Sequence, residues 1–252
     1  MNLRDKRVVV TGGSRGLGLG LVEVLVGQGA RVFVVARDAG ALEAVRTRLG
    51  VETISADITD AVAASNIVRD VRPEILVLNA GATPRMGPID QVSWEDFSVT
   101  WDTDVKGALY WLQAALNLPL APGSRVLLGS SGAAQQGSPL SGGYAGAKRM
   151  QWLMAKYANA ISAQKKLGIR IQAIVPMQII GGTGVGEAGA GAYARAQGIE
   201  TEVFLNRFGA PMPPSLFGEH VVKILTEAQY DSAIALGLKG DTGITTLEAE
   251  AA

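Results

Sequence analysis

The sequence predicts an α/β fold in which helices cover both faces of one parallel β-sheet. Short apolar segments alternate with longer segments typical of helices, and crossovers of this kind give parallel strands. The 252 residues are 48% hydrophobic and 18% charged, so the chain can bury a large core. Because no Pro/Ser-rich or highly charged linker divides the apolar segments, we expect a single domain over residues 1–252.

The predicted elements begin with a β-branched strand at 7–11 and a glycine-rich turn that opens a helix reaching about residue 28. Each later apolar segment of four to eight residues indicates a strand, and each longer periodic segment indicates a helix. Further strands are predicted at 31–36, 51–54, 75–78, 125–128, 169–175 and 233–236. Further helices are predicted at 39–48, 61–70, 94–117, 144–166 and 216–227.

Residues 181–214 break this alternation, with a glycine-rich start and three prolines near the end. A long segment of this kind is usually a lid or a binding loop. We expect a substrate lid, because Tyr193, Phe204, Leu205 and Phe208 could cover an apolar substrate. A mobile surface loop is the alternative.

The composition excludes several classes of function. Lys+Arg and Asp+Glu both number 23, so the balanced charge indicates neither a nucleic-acid partner nor an anionic membrane. Cys is absent, which excludes thiolate chemistry and suits a reducing compartment, and a single His makes a metal site implausible. With no apolar run long enough to span a bilayer, the sequence predicts a soluble cytoplasmic protein.

The glycine-rich turn between the first strand and the first helix predicts a dinucleotide site. Gly12 permits the tight turn, Gly16 lets the backbone approach a diphosphate, and Gly18 allows close packing of the helix. The N-terminus of the helix favours the phosphate charge. Ser14 and Leu17 belong to the same turn. A glycine turn that binds nothing remains the alternative, since this spacing also occurs by chance.

The end of the second strand indicates which dinucleotide is preferred. An NAD site usually carries an acidic residue here for the ribose hydroxyls, whereas an arginine accommodates a 2′-phosphate. Arg37 stands at this position, and Arg15 in the glycine turn could contact the same phosphate. Asp38 is the competing signal, although it could instead cap the following helix. We therefore predict NADP(H).

Tyr144, Lys148 and Ser131 predict the chemistry. Tyr144 and Lys148 are four residues apart, which places them on one face of a helix. A phenol is a poor acid or base at neutral pH unless a nearby cation favours the phenolate, and Lys148 can supply that cation. Ser131 can hold a carbonyl oxygen while Tyr144 protonates it. Its neighbour Ser130 should face away, because successive side chains of a strand alternate.

Together these motifs resemble those of the short-chain dehydrogenase/reductase family. The pattern TGxxxGxG lies at 11–18, NAG at 79–81 and YxxxK at 144–148, with Ser131 at the usual distance before Tyr144. The resemblance covers about residues 5–176. It implies a Rossmann-type doubly wound sheet of about seven strands. It also implies a homodimer or homotetramer that associates through the two long helices.

The resemblance also implies residue roles. Tyr144 would be the acid/base, Ser131 would orient the substrate oxygen, and Lys148 would bind the nicotinamide ribose and favour the tyrosinate. Asp57 and Ile58 would lie beside the adenine. Asn79 would steady the central sheet. The complete set of implied cofactor contacts is Gly12, Ser14, Arg15, Gly16, Leu17, Gly18, Arg37, Asp57, Ile58, Asn79, Ala80, Gly81, Tyr144, Lys148, Pro176 and Ile179.

Two departures from the family pattern fall close to the predicted catalytic residues. Asp104 occupies the position of an asparagine that usually holds a water in a proton relay. An ionised carboxylate cannot donate a hydrogen bond. Asp104 is therefore protonated, uses another arrangement of water, or weakens the relay. Met177 replaces the glycine of a usual Pro-Gly pair and adds bulk near the nicotinamide.

The resulting hypothesis is an NADPH-dependent oxidoreductase that acts on the carbonyl or secondary alcohol group of a small molecule. The catalytic set would be Ser131, Tyr144, Lys148 and Asp104. Small residues around the site leave room for a fairly bulky, largely apolar substrate. Two alternatives remain: a non-catalytic NADP(H) sensor, and an epimerase or dehydratase that works through a transient oxidation.

Overall fold

A computed structural model describes residues 1–247 of the chain, which form an eight-stranded sheet in the order β3-β2-β1-β4-β5-β6-β7-β8. All neighbouring pairs are parallel except the antiparallel pair of β7 and β8. The strands are β1 (Arg7–Thr11), β2 (Arg31–Ala36), β3 (Glu52–Ser55), β4 (Ile75–Leu78), β5 (Arg125–Gly129), β6 (Arg170–Pro176), β7 (Ala235–Lys239) and β8 (Gly243–Leu247).

Helices connect the parallel strands and cover both faces of the sheet, as the alternating pattern predicts. Within residues 1–247 we find no helix with the length and apolar character needed to cross a membrane. The helices are α1 (Gly16–Gly27), α2 (Ala39–Leu49), α3 (Ala61–Val71), α4 (Trp94–Thr100), α5 (Lys106–Asn117), α6 (Ala133–Gln136), α7 (Tyr144–Gln164), α8 (Gly184–Gln197), α9 (Thr201–Leu205) and α10 (Pro214–Thr226).

Two apolar cores flank the sheet because successive residues of each strand point to opposite faces. Along β1, Val9 packs into the core formed with α3, α5 and α7, whereas Val8 and Val10 pack into the core formed with α1, α2 and α10. Trp111 is the largest side chain fully buried on the first side, and Phe217 is the largest on the second. These two cores fix the position of the sheet, and the glycine turn follows directly from its strand β1.

The predicted order of elements is confirmed, and three details differ. The sheet has eight strands where about seven were expected, because the edge strand β8 is short, partly exposed and has two consecutive threonines at its centre in place of a continuous apolar segment. The helix predicted over 94–117 is interrupted by a π-helical turn at Trp101–Val105. Residues 181–214 contain α8 and α9 where no regular structure was expected. Thr183 caps α8 by accepting a hydrogen bond from Gly186 N at 3.0 Å.

The parallel register brings the carboxyl ends of the central strands to one edge of the sheet. Thr11 at the end of β1 pairs with Leu78 at the end of β4, and Leu78 pairs with Leu128 of β5. The last residue of β5, Gly129, lies opposite Ile174 of β6. The segments that follow these strands therefore meet at this edge, where ligands of such sheets bind.

Candidate functional site

A cavity of about 990 Å³ opens at the carboxyl edge of the sheet. It extends from the glycine turn, past the ends of β2 and β3, to the N-terminal part of α7 and the segment that contains α8 and α9. All predicted site residues except Gly18 line it. Those residues are Gly12, Ser14, Arg15, Gly16, Leu17, Arg37, Asp57, Ile58, Asn79, Ala80, Gly81, Asp104, Ser131, Tyr144, Lys148, Pro176 and Ile179.

Gly18 lies behind the cavity wall and holds the glycine turn against the sheet. A Cβ atom at this position would be 2.2 Å from the carbonyl oxygen of Gly12 and 2.6 Å from Nδ2 of Asn79. The Asn79 amide donates to the carbonyl oxygens of Thr11 and Gly12, each at 3.4 Å. The turn and the segment after β4 are thus joined side by side, and a larger residue at 18 would separate them.

At the cofactor end of the cavity, Arg37 is largely exposed while both neighbouring carboxylates have partners. Arg37 Nη1 is 3.8 Å from Asp57 Oδ2. The backbone N–H of Thr59, its hydroxyl and the charge of Arg37 hold the pKa of Asp57 below its ordinary value, despite some burial. Asp38 accepts a hydrogen bond from Ala41 N at 3.0 Å and so caps α2. The capping interpretation of Asp38 is the one that the structure bears out.

Tyr144 and Lys148 lie one turn apart on α7, as their spacing predicts. Tyr144 stands in the first turn of the helix, and Lys148 Nζ is 5.6 Å from the centre of its ring. Ser131 follows β5 at the same edge and is half-buried. Ser130 instead donates to the carbonyl oxygen of Lys148 at 2.9 Å, which docks α7 onto the sheet. The two serines thus differ in their hydrogen bonds, although both line the cavity.

The Lys148 ammonium is buried and surrounded by three acceptors. It lies 2.9 Å from Asp104 Oδ2 and donates to Gln151 Oε1 at 2.9 Å and to the carbonyl oxygen of Gly129 at 3.2 Å. Burial alone would lower the pKa of Lys148. Attraction to Asp104 and Tyr144 and the hydrogen bond to Asp104 outweigh that effect, so the pKa is raised above its ordinary value. Two N–H groups of the ammonium are thus donated to neutral oxygens, and Asp104 Oδ2 lies beside it at ion-pair distance.

Asp104 reaches Lys148 from the π-helical turn between α4 and α5. Its side chain is almost completely buried, and its second carboxylate oxygen, Oδ1, accepts from Ala82 N at 2.7 Å. The widened turn also directs the Asp104 carbonyl oxygen towards α7, where Gln151 Nε2 donates to it at 3.3 Å. π-Helical turns within α-helices are frequent at functional sites. Here the turn joins the α4–α5 region to the face of α7 that carries Lys148 and Gln151.

Met177 lines the cavity and also packs towards the sheet. Its N–H donates to the carbonyl oxygen of Leu238 at 2.9 Å, which continues the pairing of β6 with β7. Met177 packs against the first apolar core, and its Cγ lies 3.2 Å from where a Cβ of Gly237 would stand. Its backbone is not among the positive-φ residues of the described chain, so this position does not require glycine.

The end of the cavity beside α8 and α9 carries three aromatic side chains, Tyr193, Phe204 and Phe208. Tyr193 of α8 shares a 2.7 Å hydrogen bond with the Ser138 hydroxyl and accepts from Leu140 N at 3.2 Å. Its ring stacks on Phe204 with centroids 5.8 Å apart, and Phe208 meets Phe204 edge-on at 5.4 Å. The aromatic side chains of this segment therefore pack together and connect to the loop that precedes α7.

Sequence reasoning missed two residues of the site. Gln151 lies three residues after Lys148 on α7, so helical spacing alone could have placed it beside the ammonium. Tyr193 was assigned only an apolar covering role, and nothing in the sequence indicates that its hydroxyl binds Ser138. That contact joins residues 55 positions apart and depends on tertiary structure.

The chain belongs to the short-chain dehydrogenase family, whose family model matches residues 6–188. It is similar to a galactitol 2-dehydrogenase of Agrobacterium fabrum, with 26% identity over 70% of this chain and 71% of the relative. It is also similar to the L-xylulose reductase of Bos taurus, at 26% identity over 82% and 85% of the two chains. An NADPH-dependent pterin aldehyde reductase of Arabidopsis thaliana is 29% identical over 68% and 74%. The chain is therefore a member of an oxidoreductase family that uses a nicotinamide cofactor.

We expect Gly18→Ala to lower the free energy of unfolding by about 1–3 kcal/mol, because the new methyl group would overlap the backbone of Gly12. Urea denaturation followed by circular dichroism measures this loss. Gly27→Ala is the matched control on the same helix, where a Cβ meets nothing within 4 Å. The control should be neutral or gain up to about 1 kcal/mol from helix propensity. Equal stabilities of the two variants would contradict the packing role of Gly18.

Proposed function

We propose that the protein is an NADPH-dependent oxidoreductase that interconverts a carbonyl compound and its secondary alcohol. The observation that carries the proposal is the placement of Ser131, Tyr144 and Lys148 on one cavity with the glycine turn. When bound, the reduced nicotinamide supplies a hydride to the carbonyl carbon. The Tyr144 hydroxyl gives its proton to the carbonyl oxygen, Ser131 donates a hydrogen bond to that oxygen, and the Lys148 charge favours the phenolate that remains.

The preference for NADP(H) rests on the charges at the end of β2. Arg37 and Arg15 are both exposed and both line the cavity, so each can contact a 2′-phosphate. Asp38, the competing residue, is already engaged as the cap of α2. A relative is itself named as NADPH-dependent. The phosphates between the two halves of the cofactor would lie at the N-terminus of α1, whose first turn contains no acidic residue.

The substrate that suits this cavity is bulky and mainly apolar. Met86, Met177 and Ile179 line it together with the aromatic residues of the lid, for which we propose residues 181–214. Several polar groups of this region are engaged: Tyr193 with Ser138, and Gln178 with Ala210 and Gly240. A polyol would lose water and find few free partners, which costs affinity. This chain should therefore differ in substrate from the relatives named after galactitol and xylulose.

Association into a homodimer or homotetramer is the proposal for the outer surface of α5 and α7. Leu109 on α5 is 43% exposed, and Tyr157 and Ile161 on α7 are 54% and 37% exposed. Exposed apolar side chains on two neighbouring helices are typical of a surface that a second protein copy covers. One cofactor-binding domain per subunit completes the proposed organisation.

The oxidoreductase proposal is tested by NADPH oxidation against a panel of apolar aromatic ketones and aldehydes, with ketoses as polar comparators. We expect turnover with the apolar compounds and little with the ketoses.

Tyr144→Phe should lower kcat by at least about 100-fold, because the proton donor is removed while the ring and its packing remain. NADPH binding, followed by quenching of protein fluorescence, should be retained. Retained turnover in this variant would refute Tyr144 as the acid, and binding without turnover by the unaltered protein would favour the sensor alternative.

For the cofactor preference, we expect Arg37→Gln to raise the KM for NADPH about tenfold or more and to leave the KM for NADH nearly unchanged. The rise in the KM for NADPH would reflect the loss of one charge-assisted contact between Arg37 and the 2′-phosphate. Steady-state kinetics with both cofactors measures it. Arg31→Gln, at the opposite end of the same strand and paired with Glu52, is the control and should affect neither value. A similar loss for both cofactors in Arg37→Gln would exclude the phosphate contact.

For association, Tyr157→Glu should shift the molar mass measured by size-exclusion chromatography with light scattering towards that of the monomer, 26.2 kDa. A buried carboxylate at an apolar interface lacks a partner and weakens the contact. Val62→Glu on α3, where Val62 is 68% exposed, is the control and should leave the mass unchanged. A mass unaffected by Tyr157→Glu would place the interface elsewhere.

A further inference from the structure

We propose that Asp104 is a positioning residue that acts through Lys148: its carboxylate fixes the buried ammonium beside Tyr144 and keeps it charged there. The pairing itself is independent of the reaction. Its consequence for turnover rests on the proposed oxidoreductase function. Asp104 therefore contributes to catalysis through Lys148 and not by contact with substrate or cofactor.

The surroundings of Asp104 require a carboxylate in preference to an amide. Both of its oxygens face donors, with Ala82 N at 2.7 Å from Oδ1 and Lys148 Nζ at 2.9 Å from Oδ2. An asparagine offers one acceptor oxygen, so its NH₂ group would face either the Ala82 N–H or the ammonium. Gly81 leaves the space that this arrangement needs, because a Cβ there would be 2.6 Å from Asp104 Oδ2. The residue that departs from the family pattern thus fits two donors at once.

The negative charge of Asp104 offsets the cost of burying Lys148. The other acceptors of the ammonium, Gln151 Oε1 and the Gly129 carbonyl oxygen, are neutral dipoles. A buried lysine with neutral partners alone tends to lose its proton. The combined effect of Asp104 and Tyr144 instead raises the pKa of Lys148, against the effect of burial. The ammonium thereby stays charged over the range in which the reaction is expected to run.

Other charged groups near the pair face elsewhere. Asp102, in the same π-helical turn, is exposed and accepts from the Ser98 hydroxyl at 2.8 Å. The guanidinium of Arg149, next to Lys148 in the chain, lies over the Trp152 ring at 5.0 Å. After β5, Ser130 is a neutral group that donates to the backbone carbonyl of Lys148, and Tyr144 is the titratable neighbour on α7 itself. Asp104 is the carboxylate that lies within ion-pair distance of the Lys148 ammonium.

The direction of the pH effect follows from the raised pKa of Lys148. A cation whose pKa is raised in the folded state stabilises that state fully below its unfolded value, here about 10.5, and loses this contribution as the pH rises through the folded value. Without Asp104, the ammonium would lose its proton at a lower pH. Carbonyl reduction needs both the proton of Tyr144 and the charge of Lys148, so its alkaline limit would move towards neutrality once Lys148 loses its proton before Tyr144 does.

The first experiment measures the pH dependence of kcat for carbonyl reduction in the unaltered protein, in Asp104→Asn and in Asp102→Asn. We expect the alkaline limb of Asp104→Asn to lie about one pH unit or more below that of the unaltered protein. Asp102→Asn removes the same charge two residues away and should leave the limb in place. The proposal would be overturned if the alkaline decrease of kcat in Asp104→Asn occurred at the same pH as in the unaltered protein, or if both variants shifted it equally.

The second experiment needs no turnover, so it decides the pairing even if the proposed oxidoreductase function fails. Melting temperatures are measured at neutral pH for Asp104→Asn, Lys148→Met and the double variant. Asp104→Asn should melt lower than the unaltered protein because it leaves a buried ammonium without its counter-ion. Adding Lys148→Met removes that ammonium, so the double variant should melt at or above the temperature of Asp104→Asn. If the decrease in melting temperature of the double variant equals the sum of the decreases of the two single variants, the proposal is overturned. Asp104 would then be a packing and hydrogen-bonding residue.

Discussion

The parallel register of the central strands is the constraint on which the rest of the site depends. Because β1, β4, β5 and β6 end at one edge of the sheet, the segments that follow them meet there without any long excursion of the chain. The glycine turn, the segment after β4 and Ser131 are each short continuations of a buried strand. The two apolar layers hold these strands rigidly, so groups far apart in the chain keep fixed positions around one cavity.

The polar interior of the site is organised around Lys148, where the sheet, the π-helical turn and α7 meet. The ammonium contacts an acceptor from each of these three parts: Gly129, Asp104 and Gln151. Gln151 then donates back to the Asp104 backbone, which closes a small network of buried side chains. A buried polar network stabilises a fold to the extent that its members find partners, and here the ion pair of Asp104 with Lys148 is its central contact.

The opposite, apolar end of the cavity is built by the segment that departs most from the regular alternation. Its aromatic residues stack on one another, while the Tyr193 hydroxyl connects α8 to the loop before α7. The segment thus has its own small apolar cluster next to the two main cores. A bulky apolar substrate fits this composition, and the shape of such an end differs readily between relatives that share the cofactor site.

Much of the fold, and the grouping of the glycine turn with Tyr144 and Lys148, was determined by the sequence alone. Strand and helix periodicity, the glycine turn, and the Tyr144–Lys148 spacing depend on local rules, so the element order and the family followed from them. The exposed Arg37 at the end of β2 was equally visible as a pattern.

Tertiary structure alone decided what Asp104, Tyr193 and Met177 contact, because their partners lie on elements distant in the chain. From the sequence alone, Asp104 could be protonated, use another arrangement of water, or weaken the proton relay. In the folded protein the π-helical turn places Asp104 against α7, where it forms an ion pair with Lys148. Because both side chains are buried there, leaving either charge without a partner would be costly.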